Sequence, residues 1–463
     1  MTGAFTVALE KVDFLGADRV TDDTSILTLK NLVLEPLCRW KDGLVGPALF
    51  ARWSHSADGR DWRFELRDDA IFHDGTRCVA EHVVAFVERL RSAVDTFGMP
   101  WPYARYLAGV ELRAASPGCV ALTSPRPLGD IVDVFAEFYP SRNDADGRPV
   151  VGTGPYRVEA FEAGREAVLQ RVADGRAPAR LRFVACADAA ERLACVRDGA
   201  CDAALNLERI DEPIVFDADL QWQRAANTLS VMSYLDCTQG VFASADARLA
   251  INRAVDVPRI VDTLFHGLAI PSATIVSPFH LGFREAAVQP IAYDPDEARR
   301  GFDRAGATGP VVLRTPTSMP HKADAVTAVI GTMLEDIGLD VRIETEPERP
   351  SYARQIGAKR MGDAAIFDSS PQSTFRILND KIASDVRGTW WQGYANPEVD
   401  AAIIVANQTL GDAARAAAYG RCLALLHSDP PWLYLFHPIE LVASRAGTPG
   451  LALDHRGILD FVR

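Results

Sequence analysis

Residues 53–67 read WSHSADGRDWRFELR, and residues 72–76 read FHDGT. The Asp58-Gly59 pair predicts a hairpin turn, because glycine accepts the positive φ that such turns require. Trp62, Phe64 and Leu66 alternate with charged residues, as in a strand with one buried face. Asp74-Gly75 predicts a second turn, and a helix is expected over residues 80–93. The stretch therefore predicts a hairpin-rich segment that ends in a helix.

Other short motifs lie before and after this stretch. They are Glu35-Pro36-Leu37, Gly152-Thr153-Gly154-Pro155-Tyr156, Asp198-Gly199-Ala200-Cys201-Asp202, a helix carrying Asn252, Ala254 and Asp256, Tyr293-Asp294-Pro295, Asn396-Pro397-Glu398 and Asp429-Pro430-Pro431. In this order the set resembles the extracellular solute-binding proteins of ABC transporters, in family 5, which binds peptides, opines and nickel chelates. Each motif alone is weak, but the ordered set covers nearly the whole chain.

The resemblance implies an α/β chain with a two-lobed periplasmic-binding-protein-like fold (type II, cluster C) and an extra N-terminal subdomain. The first lobe is expected to contain residues 1–33, 151–237 and 428–463. The extra subdomain, packed on the first lobe, takes residues 34–150, and the second lobe takes residues 238–427. Hinges are expected near residues 236–240 and 426–430. Because predicted strands alternate with predicted helices, mainly parallel sheets are expected.

Several elements of the second half can be placed from local patterns. Residues 323–336 are predicted to form a helix ended by Gly338, and residues 363–367 a strand. A long helix is expected over residues 409–427, where Ala and Leu recur at helical spacing before a Pro-Pro stop. Residues 433–442 are predicted to form the strand that returns to the first lobe.

Composition narrows the class of protein. The chain has 463 residues, of which 48% are hydrophobic and 24% charged, as in ordinary globular proteins. Its net charge of −13 argues against a general nucleic-acid or anionic-membrane binder. No apolar run of about 18 residues is present in the sequence, so no membrane span is predicted.

The first residues and the cysteines bear on location. The segment from Met1 to Glu10 has no basic or apolar leader pattern. Either an export signal was removed, or the protein stays in the cytosol; the resemblance implies a periplasmic or extracytoplasmic place.

The eight cysteines are Cys38, Cys78, Cys119, Cys186, Cys195, Cys201, Cys237 and Cys422. None forms a CxxC pair, and we interpret them as small core residues.

Catalytic and cofactor signatures are not found. Gly152-Thr153-Gly154 precedes Pro155, which opens a strand, so a dinucleotide site is not predicted. The nine histidines include no pair at the i, i+4 spacing of a helical metal site. No catalytic residue, cofactor or metal is therefore predicted, and the protein is not expected to be an enzyme. A cytosolic ligand sensor, or an enzyme evolved in the cleft, remains the alternative function.

Asp368 is the strongest candidate for binding chemistry. It follows a predicted strand and, with Ser369, precedes a helix start near Ser373, where open α/β sheets bind ligands. In peptide-binding members of the family, the matching Asp pairs with the α-ammonium of the ligand. The resemblance thus implies that Asp368 holds a cationic nitrogen by a charge-assisted hydrogen bond. The alternative is that Asp368 only caps its own turn.

Two further groups complete the candidate site. Trp390, Trp391 and Tyr394 stand in a Gly-flanked polar loop and could form aromatic walls of a cleft, although at least one is expected in the core. Arg349, Tyr352 and Arg354 precede the Asp368 strand and could clamp a carboxylate or line the cleft. The alternative for these three is a solvated helix face.

The resemblance implies a function of binding and transport. A small organic solute, peptide-like, amino-acid-derived or otherwise nitrogen-bearing, would bind between two lobes and pass to an ABC transporter permease. No nucleic-acid partner is expected, and the protein is expected to be a monomer. Nickel is not carried over, because the metal histidine of that branch falls after the Asp368 loop and residues 376–396 contain no histidine.

Overall fold

The computed structural model describes residues 3–16, 19–96, 98–448 and 450–461; residues 1–2, 17–18, 449 and 462–463 of the expected first lobe and residue 97 of the expected subdomain lie outside them. The chain divides into two compact units. Unit 1 contains Met1–Ala225 and Glu440–Arg463, and unit 2 contains Ala226–Ile439. The finer division into lobes, hinges and a subdomain over residues 34–150 stays a prediction.

In chain order the strands are β1 (Phe5–Leu9), β2 (Arg19–Val20), β3 (Cys38–Lys41), β4 (Leu44–Pro47), β5 (Phe50–His55), β6 (Asp61–Leu66), β7 (Val94–Asp95), β8 (Glu111–Ser116), β9 (Cys119–Thr123), β10 (Tyr156–Glu162), β11 (Glu166–Arg171), β12 (Arg180–Ala185), β13 (Ala203–Ala204), β14 (Leu220–Ala226), β15 (Ser230–Leu235), β16 (Ala269–Pro271), β17 (Val311–Pro316), β18 (Val341–Glu346), β19 (Ala364–Ser369), β20 (Trp432–Arg445), β21 (Leu451–Leu453) and β22 (Leu459–Phe461).

The helices are α1 (Thr24–Val33), α2 (Ala80–Leu90), α3 (Tyr103–Tyr106), α4 (Ile131–Phe135), α5 (Ala189–Arg197), α6 (Ala245–Ala254), α7 (Val257–Phe265), α8 (Phe283–Ala286), α9 (Pro295–Arg304), α10 (Ala323–Asp336), α11 (Arg349–Gly357), α12 (Thr374–Ile377), α13 (Pro397–Gln408) and α14 (Asp412–Ser428). Single 3₁₀ turns lie at Leu207–Arg209 and Val241–Ala243, and a π-helical turn lies at Leu378–Ile382.

Unit 1 contains a mixed sheet and a separate antiparallel sheet. In the mixed sheet the order is β10, β11, β12, β1, β13 and the last residues of β20, with β1 parallel to β12 and β13. The antiparallel sheet has the order β5, β6, β9, β8. In β6 the residues Trp62, Phe64 and Leu66 are buried, and Gly59 takes a φ of 66° between β5 and β6. The hairpin predicted from residues 53–67 is therefore confirmed.

Unit 2 is built on one mixed sheet with an apolar face. Its order is β20, β15, β19, β17, β18, and β16 pairs with β20. Strands β17, β18 and β19 run parallel, whereas β15 runs antiparallel to β19 and β20. Side chains of β15 and β19 such as Leu235 and Ile366 pack with Ile251 of α6 and Leu334 of α10 in the hydrophobic core.

The expectation of mainly parallel sheets is wrong. In unit 1, β5 pairs antiparallel with β6, and β10 pairs antiparallel with β11. In unit 2, β15 has an antiparallel neighbour on each side. One reason is connectivity, because two strands joined by a short hairpin pair antiparallel, and the returning strand β20 also runs antiparallel to β13, β15 and β16. Local alternation of strands and helices does not reveal which strands become neighbours.

The predicted bounds of helices and strands agree best with the structure where a residue such as glycine marks the end of the element. The helix over residues 323–336 is confirmed, since α10 covers Ala323–Asp336 and Gly338 follows with a φ of 94°. The helix expected over residues 409–427 begins later, at Asp412, because Gly411 takes a φ of 80° that is unsuited to a helix interior. The strand expected over residues 433–442 extends to both sides, as β20. No helix among the described residues has the length and apolarity needed to cross a membrane.

The interpretation of every cysteine as a small core thiol is wrong for one pair. Cys195 and Cys201 form a disulfide, with their Cα atoms 5.3 Å apart. Helix α5 ends at Arg197, and Gly199 with a φ of 76° turns the chain back so that Cys201 approaches Cys195. The other six cysteines are free, and Cys38, Cys78 and Cys422 are buried as expected; Cys119, Cys186 and Cys237 are partly buried.

Candidate functional site

Asp368 and Ser369 end strand β19 of unit 2. The run Ala364-Ala365-Ile366-Phe367 is buried and apolar, which favours a central strand, and Asp368 and Ser369 extend it by two residues. Asp368 lies opposite Val231, and Ser369 lies opposite Ser230 of β15. Helix α12 follows at Thr374. The predicted arrangement of a strand end beside a helix start is present here.

The carboxylate of Asp368 forms an ion pair with Arg349. Nη2 of Arg349 donates to Oδ1 of Asp368 across 3.3 Å, and the two side chains are 9% and 20% exposed. In the described residues the carboxylate has no hydrogen bond to the turn that follows it. Since little solvent reaches either group, the attraction is stronger than in a surface pair. Asp368 thus carries an ion pair, and the turn-capping alternative is not what the structure contains.

Aromatic rings enclose this ion pair. The guanidinium carbon of Arg349 lies 4.1 Å from the ring centroid of Phe367 and 5.8 Å from that of Tyr352. The rings of Tyr352 and Phe367 are stacked, with centroids 6.1 Å apart. Trp390 contacts Phe367 from the predicted aromatic loop, with centroids 4.9 Å apart. The structure therefore brings together Asp368, Arg349, Tyr352 and Trp390.

Tyr352 and Arg354 lie on the same helix, α11, but in different surroundings. Tyr352 is fully buried, and its hydroxyl donates to the carbonyl oxygen of Ile366 across 2.7 Å, which fixes α11 against β19. Burial raises the pKa of the Tyr352 hydroxyl, so it remains a donor at neutral pH. Arg354 is exposed. A solvated helix face thus describes Arg354 and not Arg349 or Tyr352.

Trp391 and Tyr394 belong to a different group of side chains. The indole N–H of Trp391 donates to the carbonyl oxygen of Tyr394 across 2.7 Å. Tyr394 is buried, and its hydroxyl donates to Oδ2 of Asp429 across 3.0 Å, beside the ion pair of Asp429 with Arg248. Within the described part of the chain, neither residue has a hydrogen bond, ion pair or ring contact with Asp368. As expected, at least one of the three loop aromatics lies in the core.

Sequence reasoning missed the π-helical turn beside Asp368. Nζ of Lys381 lies 3.5 Å from the carbonyl oxygen of Asp368, and 5.8 Å and 5.9 Å from the ring centroids of Tyr234 and Trp432. Lys381 is only 5% exposed. π-helical turns are rare and frequent at functional sites. The available clue was the polar run Asn379-Asp380-Lys381 between the apolar residues Leu378 and Ile382.

Tyr234 and Ser369 bring further polar atoms to this region. Tyr234 is fully buried, and its hydroxyl has no hydrogen-bond partner among the described residues. Burial and then the negative charge of Asp368 raise the pKa of that hydroxyl. The hydroxyl of Ser369, which is 1% exposed, likewise has no partner within the described part of the chain. These donors stand beside a carboxylate and two cations.

The set can bind charged groups of a ligand, with flat rings for its apolar part. Asp368 accepts hydrogen bonds, Arg349 and Lys381 donate them, and Phe367 and Trp390 supply aromatic surface. Across the residues that the structure describes, no three His, Cys, Asp or Glu side chains stand together as metal ligands. The absence of a metal requirement stays a prediction.

A cavity in unit 2 lies apart from the predicted residues. Its volume is about 260 Å³, and Asn252, Pro258, Pro271, Ile291 and Tyr434 are among its lining residues. The amide of Asn252 is already bonded to the backbone of residues 432 and 434. None of the sequence-predicted site residues lines this cavity.

The chain is similar to known proteins in sequence family, in full-length sequence and in structure. The family described as "Bacterial extracellular solute-binding proteins, family 5 Middle" matches residues 45–383. The chain is 25% identical over 458 residues to the nickel-binding periplasmic protein of Escherichia coli (strain K12), covering 90% of this chain and 86% of that one. It is also 25% identical over 468 residues to the probable di/tripeptide-binding protein 5 of Pseudomonas aeruginosa (strain UCBPP-PA14), covering 91% and 87%.

A solved structure extends the similarity to the fold. The ABC transporter-associated periplasmic binding protein DppA from Helicobacter pylori, in complex with the peptide STSA, has a TM-score of 0.75 and 19% identity. The match covers 99% of this chain and 98% of that chain. The predicted type II periplasmic-binding-protein-like fold is thus confirmed. These named relatives are binding proteins rather than enzymes.

Proposed function

Since the chain belongs to the bacterial extracellular solute-binding proteins of family 5, we propose that it binds one small, nitrogen-bearing organic solute and delivers it to an ABC transporter permease. The observation that carries the proposal is the enclosed ion pair of Asp368 and Arg349 at the end of β19. Binding without catalysis is the activity of the relatives named above.

The chemistry of the ion pair indicates the class of solute. Asp368 would receive an ammonium or other cationic nitrogen, and Arg349 would receive a carboxylate, because each forms charge-assisted hydrogen bonds with its opposite. Trp390 and Phe367 offer flat apolar surface at a low cost in side-chain entropy. An amino-acid-derived or peptide-like zwitterion matches all three features. Tyr352 supports the site by holding α11 against β19.

The remaining predicted site residues have supporting roles in this proposal. Ser369 offers a free hydroxyl next to Asp368. Trp391 and Tyr394 would act by shaping the loop that carries Trp390, since their polar groups are bonded to the backbone at 394 and to Asp429. Arg354, which is exposed on α11, would contact only a solute that extends beyond the ion pair.

Location, partner and assembly are further parts of this proposal, and each needs its own test. We place the protein outside the cytoplasmic membrane, as a monomer that docks on a permease. Cell fractionation should recover it in the periplasmic or extracellular fraction, and size-exclusion chromatography with light scattering should give a mass near 50.4 kDa. A purely cytosolic protein would favour the alternative of a ligand sensor.

The decisive experiment identifies the solute. Native mass spectrometry of the freshly purified protein should detect a bound organic molecule that disappears after unfolding and refolding. Isothermal titration calorimetry of the refolded protein with that molecule should then give one site per chain. A protein that holds no molecule and binds none of a panel of amino acids, opines and short peptides would contradict the proposal. Turnover of the bound molecule would favour an enzyme instead.

A further inference from the structure

The cavity of unit 2 has a mostly apolar wall without charged groups. Its volume is about 260 Å³, and seven of its eleven lining residues are valine, proline, isoleucine or alanine. Among the described residues, no Asp, Glu, Lys, Arg or His lines it. Three of the lining residues are prolines, Pro258, Pro271 and Pro290, which have no backbone N–H to donate. The cavity therefore offers few groups that could replace the hydration shell of a polar guest.

Three of the four polar side chains on this wall are already hydrogen-bonded to the backbone. Nδ2 of Asn252 donates to two carbonyl oxygens, across 2.8 and 2.9 Å, and its Oδ1 accepts the N–H of Tyr434 across 2.9 Å. The hydroxyl groups of Ser272 and Tyr434 each donate to a carbonyl oxygen, across 2.8 and 2.9 Å. The fourth polar side chain, Tyr293, is 47% exposed. In the part of the wall that the structure describes, the buried side-chain donors are thus already used.

The inner wall of the cavity belongs to the core of unit 2. Val255 and Val257 lie at the junction of α6 and α7, are 1% and 9% exposed, and are part of the hydrophobic core. Asn252 fixes α6 to β20 through its bonds with the backbone of residues 432 and 434. Pro271 ends β16, which pairs with β20. Packing and strand pairing therefore fix this wall independently of any guest.

The outer wall is a segment that backbone hydrogen bonds do not hold. Residues 290–293 of this wall lie between α8 and α9, and three of these four residues are exposed. The N–H of Asp294 donates to the carbonyl oxygen of Arg253 across 2.8 Å, but residues 288–293 form no backbone hydrogen bond with the described residues. Exposed segments without such bonds open at a low cost in free energy. The segment 288–293 can therefore open to admit a guest.

We propose that this cavity is a second binding site of unit 2, which takes a neutral, mostly apolar molecule about the size of indole through the segment 288–293. An apolar cavity of about 150 Å³ already holds benzene, so the larger volume here has room for a bicyclic aromatic molecule. A charged guest would lose its hydration without gaining an opposite charge, because no charged residue lines the described wall. The site is separate from the ion pair of Asp368 and Arg349, since neither residue lines the cavity.

Titration of the native protein with indole tests the site directly. In nuclear magnetic resonance spectra of protein labelled with ¹³C at the methyl groups of valine and isoleucine, indole should shift the signals of Val255, Val257 and Ile291 in a saturable way. Indole-3-carboxylate at the same concentrations should leave these three signals unchanged, because its charge would be buried without a partner. The proposal is overturned if indole saturates only methyl groups elsewhere in the chain, or if the carboxylate shifts the three signals equally.

A variant that fills the cavity provides a second measurement. Val257→Phe places a larger side chain on the wall and should weaken indole binding by about tenfold or more, as measured by isothermal titration calorimetry. The matched control is Val405→Phe on α13, where the native side chain is 61% exposed, and it should bind indole like the native protein. Unchanged affinity in the Val257 variant would contradict the proposal. If that variant does not fold, the methyl titration of the native protein still decides.

Discussion

Arg349 donates a hydrogen bond from Nη2 to Oδ1 of Asp368 across 3.3 Å, so a cation of the chain itself already contacts the carboxylate proposed to bind the solute. A solute with only an ammonium group would compete with this guanidinium. A solute that also carries an anion can bind Arg349 and Asp368 together, because each side chain then keeps an opposite charge. The relationship therefore favours zwitterionic solutes over simple amines.

Replacement of Asp368 by Asn should weaken solute binding. Loss of one charge-assisted hydrogen bond typically costs about 1.5–3 kcal/mol, which corresponds to roughly ten- to a hundredfold in affinity. Isothermal titration calorimetry with the solute found by native mass spectrometry measures this change. Asp385→Asn, an exposed position of the same unit, is the matched control and should bind normally. Equal affinity for the Asp368 variant and the native protein would remove Asp368 from the site.

Replacement of Arg192 by Met should strongly destabilise unit 1. This guanidinium is fully buried and donates to carbonyl oxygens that include those of Leu205, Cys186 and Asn206. The variant would leave these acceptors without donors, at a cost of about 3 kcal/mol or more. Urea unfolding measures the loss. Arg197→Met on the same helix, where the side chain is 42% exposed, should change stability by less than about 1 kcal/mol.

The buried histidines His280 and His437 predict a loss of stability in acid. Burial lowers the pKa of each imidazole to about 4, whereas an unfolded histidine titrates near its ordinary value. Because protonation favours the unfolded chain, stability from these groups is present above about pH 6.5 and falls as the pH drops toward 4. His437→Gln should reduce the change in unfolding free energy between pH 7 and pH 5, whereas the exposed His55→Gln should not. Identical profiles for the native protein and both variants would contradict this assignment.

The pairing of Cys195 with Cys201 predicts the thiol count. Alkylation under denaturing but non-reducing conditions should label six cysteines, and alkylation after reduction should label all eight. Mass spectrometry of the intact protein measures both numbers. Peptide mapping should place the difference at residues 195 and 201. Eight labelled thiols without reduction would show that the disulfide does not form in solution.

Solute binding should not require a metal. Residues 376–396 contain no histidine, and soft or borderline metals favour His and Cys ligands at suitable spacing. Elemental analysis of tag-free protein after dialysis should find no stoichiometric nickel, zinc or iron, and a chelator should leave the calorimetric affinity unchanged. Retained metal together with a loss of binding on chelation would support a nickel-chelate solute instead.

Local sequence patterns predicted the helices and strands whose buried residues recur at a short, regular spacing along the chain. Trp62, Phe64 and Leu66 predicted a strand because side chains alternate across a sheet, and Gly338 predicted the end of α10 because glycine accepts a positive φ. The position of Asp368 at a strand end followed from the apolar run before it. None of these inferences required knowledge of a distant partner.

The pairing of strands, of cysteines and of charged side chains could not be predicted in the same way. Three features depend on packing rather than on local sequence. They are the antiparallel neighbours on both sides of β15, the approach of Cys201 to Cys195, and the placement of Lys381 by a π-helical turn. Arg349 was a candidate from the sequence, but whether it was solvated or paired with Asp368 depended on how α11 packs against β19.

The sequence by itself determined the family, the α/β class and the position of the candidate carboxylate, because ordered turn motifs and short periodicities are local properties of the chain. Only the tertiary structure decided which charges meet, such as Arg349 with Asp368 and Arg248 with Asp429. Those contacts join residues from separate elements, and burial then sets their strength by excluding the water that would otherwise screen them.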